Sequence, residues 1–465
     1  MRQHFLEDNG VKGIDFLKKK KYNVLRKGKT EAKMKRLIID KLIEWKNSPF
    51  RKPLLMRGAR QVGKTYTLLE FGKKYYDNFV YFHFEGSAET LNKIFVPDLN
   101  PRRIIEELAI YSKQTIFPQK TLIIFDEIQA CEQALTSLKY FAEEAPEYHV
   151  VAAGSLLGLA VNRGKFSFPV GKVDMLTMFP LSFEEFLHAT GNESLIEKIR
   201  AAYASFAPLS EVYHNLALEL YRKYLVVGGY PAAVKTYFET DSFDSVRSVQ
   251  ADISDSYIAD MTKYATPNET IRSIAIFNTL PSQLAKENTK FQYAVVKSNA
   301  RAKDYELSLQ WLKAASVVLE NIKVTEGKMP LSVYEQLDSF KIYYSDVGLL
   351  CFKSGILQQD VLINSSVSDR ARGLLAENYV AEQLVAKGYR LNYWESDGKA
   401  EVDFVIRQND SVVPVEVKYA DTVRAKSWKI FTEKYSPSYS IRLSAKNFGF
   451  ENGIKSIPLY AVFCL

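Results

Sequence analysis

The chain has 465 residues, 47% hydrophobic and 25% charged, with a formal net charge of +8 and three cysteines. That length exceeds one ordinary core and implies two to four domains, and the composition is that of a folded protein. No apolar run approaches the roughly 20 residues that a bilayer span needs, so membrane insertion is not expected.

Cys131, Cys351 and Cys464 are far apart, and the five histidines show no paired ligand spacing, so a structural zinc site is not expected. The start, Met-Arg-Gln-His-Phe, lacks the apolar core of a secretory signal, which with the cysteine usage predicts a cytoplasmic setting. The positive charge is local. Residues 1–33 hold ten basic against four acidic side chains, or +6 of the +8. Global charge therefore identifies no partner. Residues 1–34 read as a basic leader, either a solvated, partly disordered tail or a segment ahead of a real start at Met34.

Residues 35–190 read as a P-loop ATPase domain. Apolar spacing over 35–46 predicts a leading helix with one face on the core. The run Leu54-Leu55-Met56-Arg57 then enters Gly58-Ala59-Arg60-Gln61-Val62-Gly63-Lys64-Thr65, the pattern Gly-x-x-x-x-Gly-Lys-Thr. This pattern is a phosphate cradle: the glycines let successive N–H groups point inward, and the helix starting at Lys64 adds its positive end. Lys64 reaches the β- and γ-phosphates of a nucleotide, and the Thr65 hydroxyl is placed to ligate Mg²⁺.

Further strands are predicted at 79–84, 121–127, 149–155 and 175–179, alternating with helices as in a parallel βαβ sheet whose ligand lies at the carboxyl ends of the strands. The strand from Thr121 delivers Asp126 and Glu127. Asp126 fits a Mg²⁺ ligand, direct or through a bound water, and Glu127 beside it can orient and deprotonate an attacking water, the mark of a hydrolytic ATPase. Ser155, one strand over, either hydrogen-bonds that water or the γ-phosphate, or caps the next helix. The transition state calls for an added cation. Arg60 lies inside the loop, while Arg57, Arg103 and Arg163 qualify by position alone. A finger supplied in trans would require a homo-oligomer or a protein partner.

Residues 191–280 are a helical and polar connector or lid, interrupted by the apolar turn Tyr224 to Pro231. In 281–350, short helical patterns precede β-like runs at 316–324 and 341–344, which predicts a winged-helix-like segment. Lys297, Arg301, Lys303 and Lys313 there are placed for DNA phosphates, but small winged domains also dock proteins, and the charge pattern leaves both open.

Several stretches carry a family resemblance. Gly58 to Thr65 with its Arg60-Gln61 insert, Phe125 to Gln129, Pro180 to Leu187, Gly228 to Pro231 and Tyr344 to Leu350 resemble, in order and spacing, prokaryotic AAA-class P-loop ATPases with a C-terminal domain of unknown function, number 4143. The resemblance implies ATP as ligand and an AAA-type core. Gly171-Lys172 departs from the expected Gly-Arg, which removes a bidentate fork from that position.

Residues 351–465 read as a nuclease-like α/β domain. Glu401 to Arg407 and Val412 to Tyr419 alternate around a turn-prone Asn409-Asp410. A hairpin centred there sets Asp403 opposite Glu416 and Glu401 opposite Lys418 on one face, where a bound Mg²⁺ would relieve carboxylate repulsion. Glu377, on the core-facing stripe of a helix over 369–387, adds a carboxylate that needs a partner. This set resembles metal-dependent nucleases of the restriction-endonuclease-like fold. By that resemblance Asp403 and Glu416 hold Mg²⁺, Glu377 supports it, and Lys418 positions the attacking water or steadies charge on phosphate. An inactive fold kept for DNA binding is the competing reading.

The expected fold is therefore α/β: a P-loop parallel sheet, a helical connector, a winged-helix-like segment and a restriction-endonuclease-like domain. The expected function is Mg²⁺-dependent ATP hydrolysis coupled to a DNA-directed C-terminal part. The alternative is a nucleotide-dependent regulatory switch whose C-terminal domain binds protein.

Overall fold

The computed structural model describes residues 34–85, 88–155, 169, 171–286, 289–362, 369–396, 400–419 and 426–465. Residues 1–33 of the basic leader and Arg163 lie outside the described residues.

Five strands form the first sheet: β1 (Leu54–Arg57), β2 (Asn78–His83), β3 (Thr121–Asp126), β4 (His149–Gly154) and β5 (Asp174–Thr177). Their order is β2-β3-β4-β1-β5 and every pairing is parallel. β3 and β4 are buried at every residue because continuous apolar runs can be covered on both faces. Alternate side chains supply two different cores: Leu122, Ile124 and Val151 one, Ile123, Phe125 and Val150 the other. Parallel pairing brings all carboxyl ends to one edge, so the loop 58–63, Asp126, Glu127 and Ser155 share that edge.

Six helices of seven or more residues follow between Phe183 and Leu284. The two β-like runs then appear as β6 (Val318–Val324) and β7 (Glu335–Tyr344), an antiparallel pair. This hairpin is not a free wing. β6 also pairs in parallel with β8 (Asn392–Ser396), and β8 pairs with β9 (Ala400–Val402), giving the order β7-β6-β8-β9. A division at residue 350 would cut through this sheet and expose a row of unpaired backbone groups on β6. The last sheet contains β10 (Phe404–Gln408), β11 (Ser411–Val417), β12 (Ser440–Ser444), β13 (Gly449–Glu451) and β14 (Ile454–Pro458), in the order β10-β11-β12-β14-β13. The hairpin β10-β11 has the expected register, with Phe404 opposite Val415 and Gln408 opposite Ser411. Asn409 takes φ 53° in its turn, a conformation asparagine tolerates well.

Three motif stretches remote in sequence meet at one buried point. Leu181 N–H donates to Gly229 O at 2.6 Å, and Gly229 N–H donates to Asp346 Oδ2 at 2.6 Å. Leu349 N–H donates to Asp346 Oδ1 at 2.8 Å, and burial pushes the Asp346 carboxyl up to about 6. The backbones touch: a Cβ on Gly229 would lie 2.1 Å from Leu181 O, and one on Gly348 would lie 2.5 Å from Gly228 Cα. Gly229→Ala is therefore expected to cost about 3 kcal/mol or more, because backbone cannot yield as a flexible side chain would. Denaturant unfolding checks this, and an unchanged midpoint would mean that the segments separate at little cost.

Candidate functional site

The loop between β1 and the helix Lys64–Tyr75 is built on its glycines. Gly63 has φ +94°, and Gly58, at φ +151°, passes so close to Met178 that a Cβ would lie 2.1 Å from its carbonyl oxygen. Arg36, buried ahead of the first helix, braces the loop from outside. Its Nη1 donates to Val62 O at 2.8 Å, its Nη2 to Phe179 O at 2.7 Å, and its Nε pairs with Glu185 at 3.1 Å. Lys64 is 6% exposed and points into the loop, donating to Gly58 O at 2.9 Å and Ala59 O at 2.8 Å. Burial lowers its ammonium to about 8, against the pull of Glu127 and Asp126. A desolvated ammonium held only by two carbonyls is poised for a stronger, anionic partner.

The end of β3 faces this lysine. Thr65 Oγ1 donates to Asp126 Oδ2 at 2.7 Å, and Tyr81 from β2 donates its hydroxyl to the same oxygen at 2.9 Å. Thr65 and Asp126 thus offer hard oxygen donors side by side, which is the chemistry Mg²⁺ requires. Among the described residues, no three histidine, cysteine or carboxylate side chains gather as a metal cage, so any cation here would share its shell with phosphate and water. Glu127 follows with φ 50° and ψ 43°, a left-handed conformation unusual for glutamate. Gln129 Nε2 donates to Glu127 Oε2 at 2.5 Å and fixes the carboxylate. Ser155 lies just past β4, buried, on the edge that carries Asp126.

The helix Phe243–Tyr264 crosses the loop. Its Asp260 pairs with Arg60 at 2.5 Å, its Ser256 accepts from Gln61 Nε2 at 3.0 Å, and its Tyr257 hydroxyl donates to Arg60 O at 3.2 Å. Lys263 pairs with Glu85 just beyond β2. The other arginines considered for the transition state have local work: Arg57 donates to Thr177 Oγ1, and Arg103 is tied to Asp98 and Glu107. Lys172 pairs with Glu143 at 2.9 Å, away from the loop.

The C-terminal acidic set is gathered differently from its expected pattern. The chain leaves one sheet for the other at Asp403, between β9 and β10, so the ladder ends at Phe404–Val415 and Asp403 is not a paired partner of Glu416. Its Oδ2 instead accepts from Val417 N–H at 2.7 Å. Glu401 belongs to β9, opposite Glu395, and so does not face Lys418.

Glu377 and Glu401 both pair with Lys341, a lysine 1% exposed on β7, and Tyr343 donates its hydroxyl to Glu377. Lys418 pairs with Glu416 at 2.7 Å. Burial, with the Glu377 charge adding to it, pushes the Asp403 carboxyl up to about 7, against the pull of Lys418 and Lys341. Two lysines thus supply the neutralisation expected of a cation. Lys297, Arg301 and Lys303 are exposed, while Lys313 pairs with Glu320.

Sequence reasoning missed Tyr81, Asp260 and Lys341. Lys341 had one visible signal, a single lysine inside the apolar run Phe340 to Tyr344. Asp260 had none, since its partner lies 200 residues away.

Three family models match successive parts of the chain. Residues 50–187 match the family described as AAA domain, residues 218–360 match domain of unknown function 8612, and residues 372–462 match domain of unknown function 4143. No curated protein matches the chain. Among solved structures it is similar to a Walker-type ATPase of Pyrococcus abyssi, at 13% identity and TM-score 0.44, covering 69% of this chain and 95% of that one. It is also similar to the ORC2 protein of Aeropyrum pernix in its ADPNP-ADP complexes, at 11% identity and TM-score 0.36, covering 73% and 91%. The chain carries an AAA-type P-loop ATPase domain followed, toward its C-terminus, by domain of unknown function 4143.

Proposed function

We propose that the protein hydrolyses ATP in a Mg²⁺-dependent manner and couples this to a DNA-directed C-terminal part. The observation that carries the hydrolytic reading is Lys64, buried and desolvated at the head of the loop, facing Asp126 and Glu127 at the end of β3. Thr65 and Asp126 would hold the Mg²⁺, which when bound offsets negative charge on the β- and γ-phosphates. The loop amides and Lys64 bind and orient the triphosphate. Glu127 takes a proton from water as the water oxygen bonds to the γ-phosphorus and the bond to the β–γ bridging oxygen breaks, leaving ADP and phosphate. Ser155 is assigned to position that water.

For the C-terminal part, Glu377, Asp403, Glu416 and Lys418 support a nuclease-like site, in which Asp403 and Glu416 would be the metal ligands and Glu377 and Lys418 their helpers. Lys341 favours a second reading, a nucleotide-dependent switch whose C-terminal domain binds protein and cleaves nothing. Its ammonium already satisfies Glu377 and Glu401, and a cation entering beside it would meet like charge.

One experiment separates the two. Purified protein is incubated with plasmid and short duplex DNA, with and without ATP and Mg²⁺ or Mn²⁺, while phosphate release and strand cleavage are followed. DNA-stimulated, salt-sensitive turnover supports the DNA-directed reading. Turnover indifferent to DNA, with no assay changed by Glu416→Ala plus Lys418→Ala, leaves the switch.

A further inference from the structure

We infer that Arg60 and Asp260 form a latch opened by ATP: Asp260 holds the loop arginine until the terminal phosphate takes it, so that Arg60 meets the transferring phosphoryl group and helix Phe243–Tyr264 is freed by ATP but not by ADP. This rests on the nucleotide reading above and names the group that distinguishes ATP from ADP within it.

The placement comes first. Arg60 stands between Gly58 and Gly63, in the segment whose amides face phosphate, and Lys64 lies within electrostatic reach of both Arg60 and Asp260. Asp260 in turn feels Glu127, the carboxylate assigned to the attacking water, and Glu85. The pair, closed at 2.5 Å, therefore stands on the loop at the edge that carries Lys64 and Glu127.

The two partners are unequally free. The Asp260 side chain is 4% exposed and fixed within its helix, whereas the long Arg60 side chain is 47% exposed. The part-exposed arginine is free to swing while the buried carboxylate cannot follow, so the cost of opening lies in leaving Asp260 unpaired and is met by the arginine–phosphate contact. An incoming terminal phosphate attracts Arg60 and repels Asp260, and both effects open the pair. A bidentate fork suits a phosphoryl group as well as it suits a carboxylate.

The release would be felt by one helix face. Ser256, Tyr257, Asp260 and Lys263 are spaced by one, three and three residues, so they line one side of the helix, and each contacts Gln61, Arg60 or Glu85. Farther along, Gln250 Nε2 donates to Val226 O at 2.8 Å, next to the Gly228-Gly229 turn on which Asp346 docks. Loosening the Arg60 end thus acts on a rigid element whose other end abuts the junction with the C-terminal part.

The test measures ATP and ADP affinity, turnover and hydrogen exchange on the full chain. Asp260→Asn is expected to tighten ATP about fivefold or more while changing ADP less than about twofold, since a competitor and a like charge are both removed. Arg60→Ala is expected to weaken ATP about tenfold or more and to lower turnover, because it deletes the phosphate contact and leaves Asp260 unpaired. In the doubly substituted protein, ATP affinity should recover in part while turnover stays low.

Backbone exchange in 253–264 should rise with a non-hydrolysable ATP analogue and not with ADP. Weaker ATP and ADP binding together in Asp260→Asn would overturn the latch, as would equal exchange with both nucleotides. Failure of the wild-type chain to bind ATP would instead sink the nucleotide reading. Wild-type binding that Lys64→Ala abolishes and Asp260→Asn leaves unchanged would sink the latch alone.

Discussion

Lys64→Ala is expected to abolish measurable ATP binding, with a loss of at least about 10²–10³-fold in affinity, and with it all turnover. The size follows from the setting. The ammonium is buried and makes its two hydrogen bonds to loop carbonyls, so its interaction with phosphate would occur out of water, where a charge-assisted bond is strong. The same burial makes the lysine a poor contributor to folding, since it costs desolvation and gains only two neutral partners. Thermal stability of the free Lys64→Ala protein should therefore equal or exceed that of wild type, which separates lost binding from lost structure. Calorimetry against ATP and a melting curve in its absence make both measurements. Undiminished binding would remove Lys64 from the site.

The pH dependence has a definite sign. In the free protein the Lys64 ammonium is lowered to about 8, and an anionic phosphate would favour its protonated form. ATP binding should then take up a proton above that pH, and affinity should fall about tenfold per unit above roughly pH 8. For folding, a depressed lysine stabilises the native state less when protonated, so its contribution improves as pH rises through about 8 toward the ordinary lysine range.

The ATPase half was legible because its signals are local. Gly58 to Thr65 states the loop within eight residues, and the unbroken apolar run of β3 announces a strand covered on both faces. The hairpin register at 404–415 was legible for the same reason, through Asn409-Asp410. The missing parts depend on distant neighbours. Arg60 and Asp260 meet across 200 residues, and Lys341 meets Glu401 across 60. The crossing at Asp403 escaped because strand periodicity does not tell which sheet a strand joins: Glu401 to Arg407 reads as one alternating run but belongs to two sheets. β8 is a comparable case, since nothing in its own five residues announces that β6 is its partner.

Glu127→Gln is expected to keep ATP bound and to stop turnover. The amide matches the carboxylate in shape, and its oxygen still accepts from Gln129 Nε2, so the left-handed backbone at this position keeps its support. What it loses is basicity: an amide cannot take the proton that water gives up as it attacks phosphorus. Loss of a positioned general base costs about 10²–10⁴ in rate. Binding responds in the opposite sense, because the Glu127 charge lies near both Lys64 and Asp260, and removing it takes one repulsive charge away from the terminal phosphate. ATP should therefore bind the variant at least as tightly as wild type while phosphate release falls to background, a division that a misfolded site would not produce. Phosphate release measured beside a binding isotherm for the same preparation decides the matter. Turnover within about threefold of wild type would transfer the role of base from Glu127 to another group on the same edge, with Ser155 and its water the first to examine.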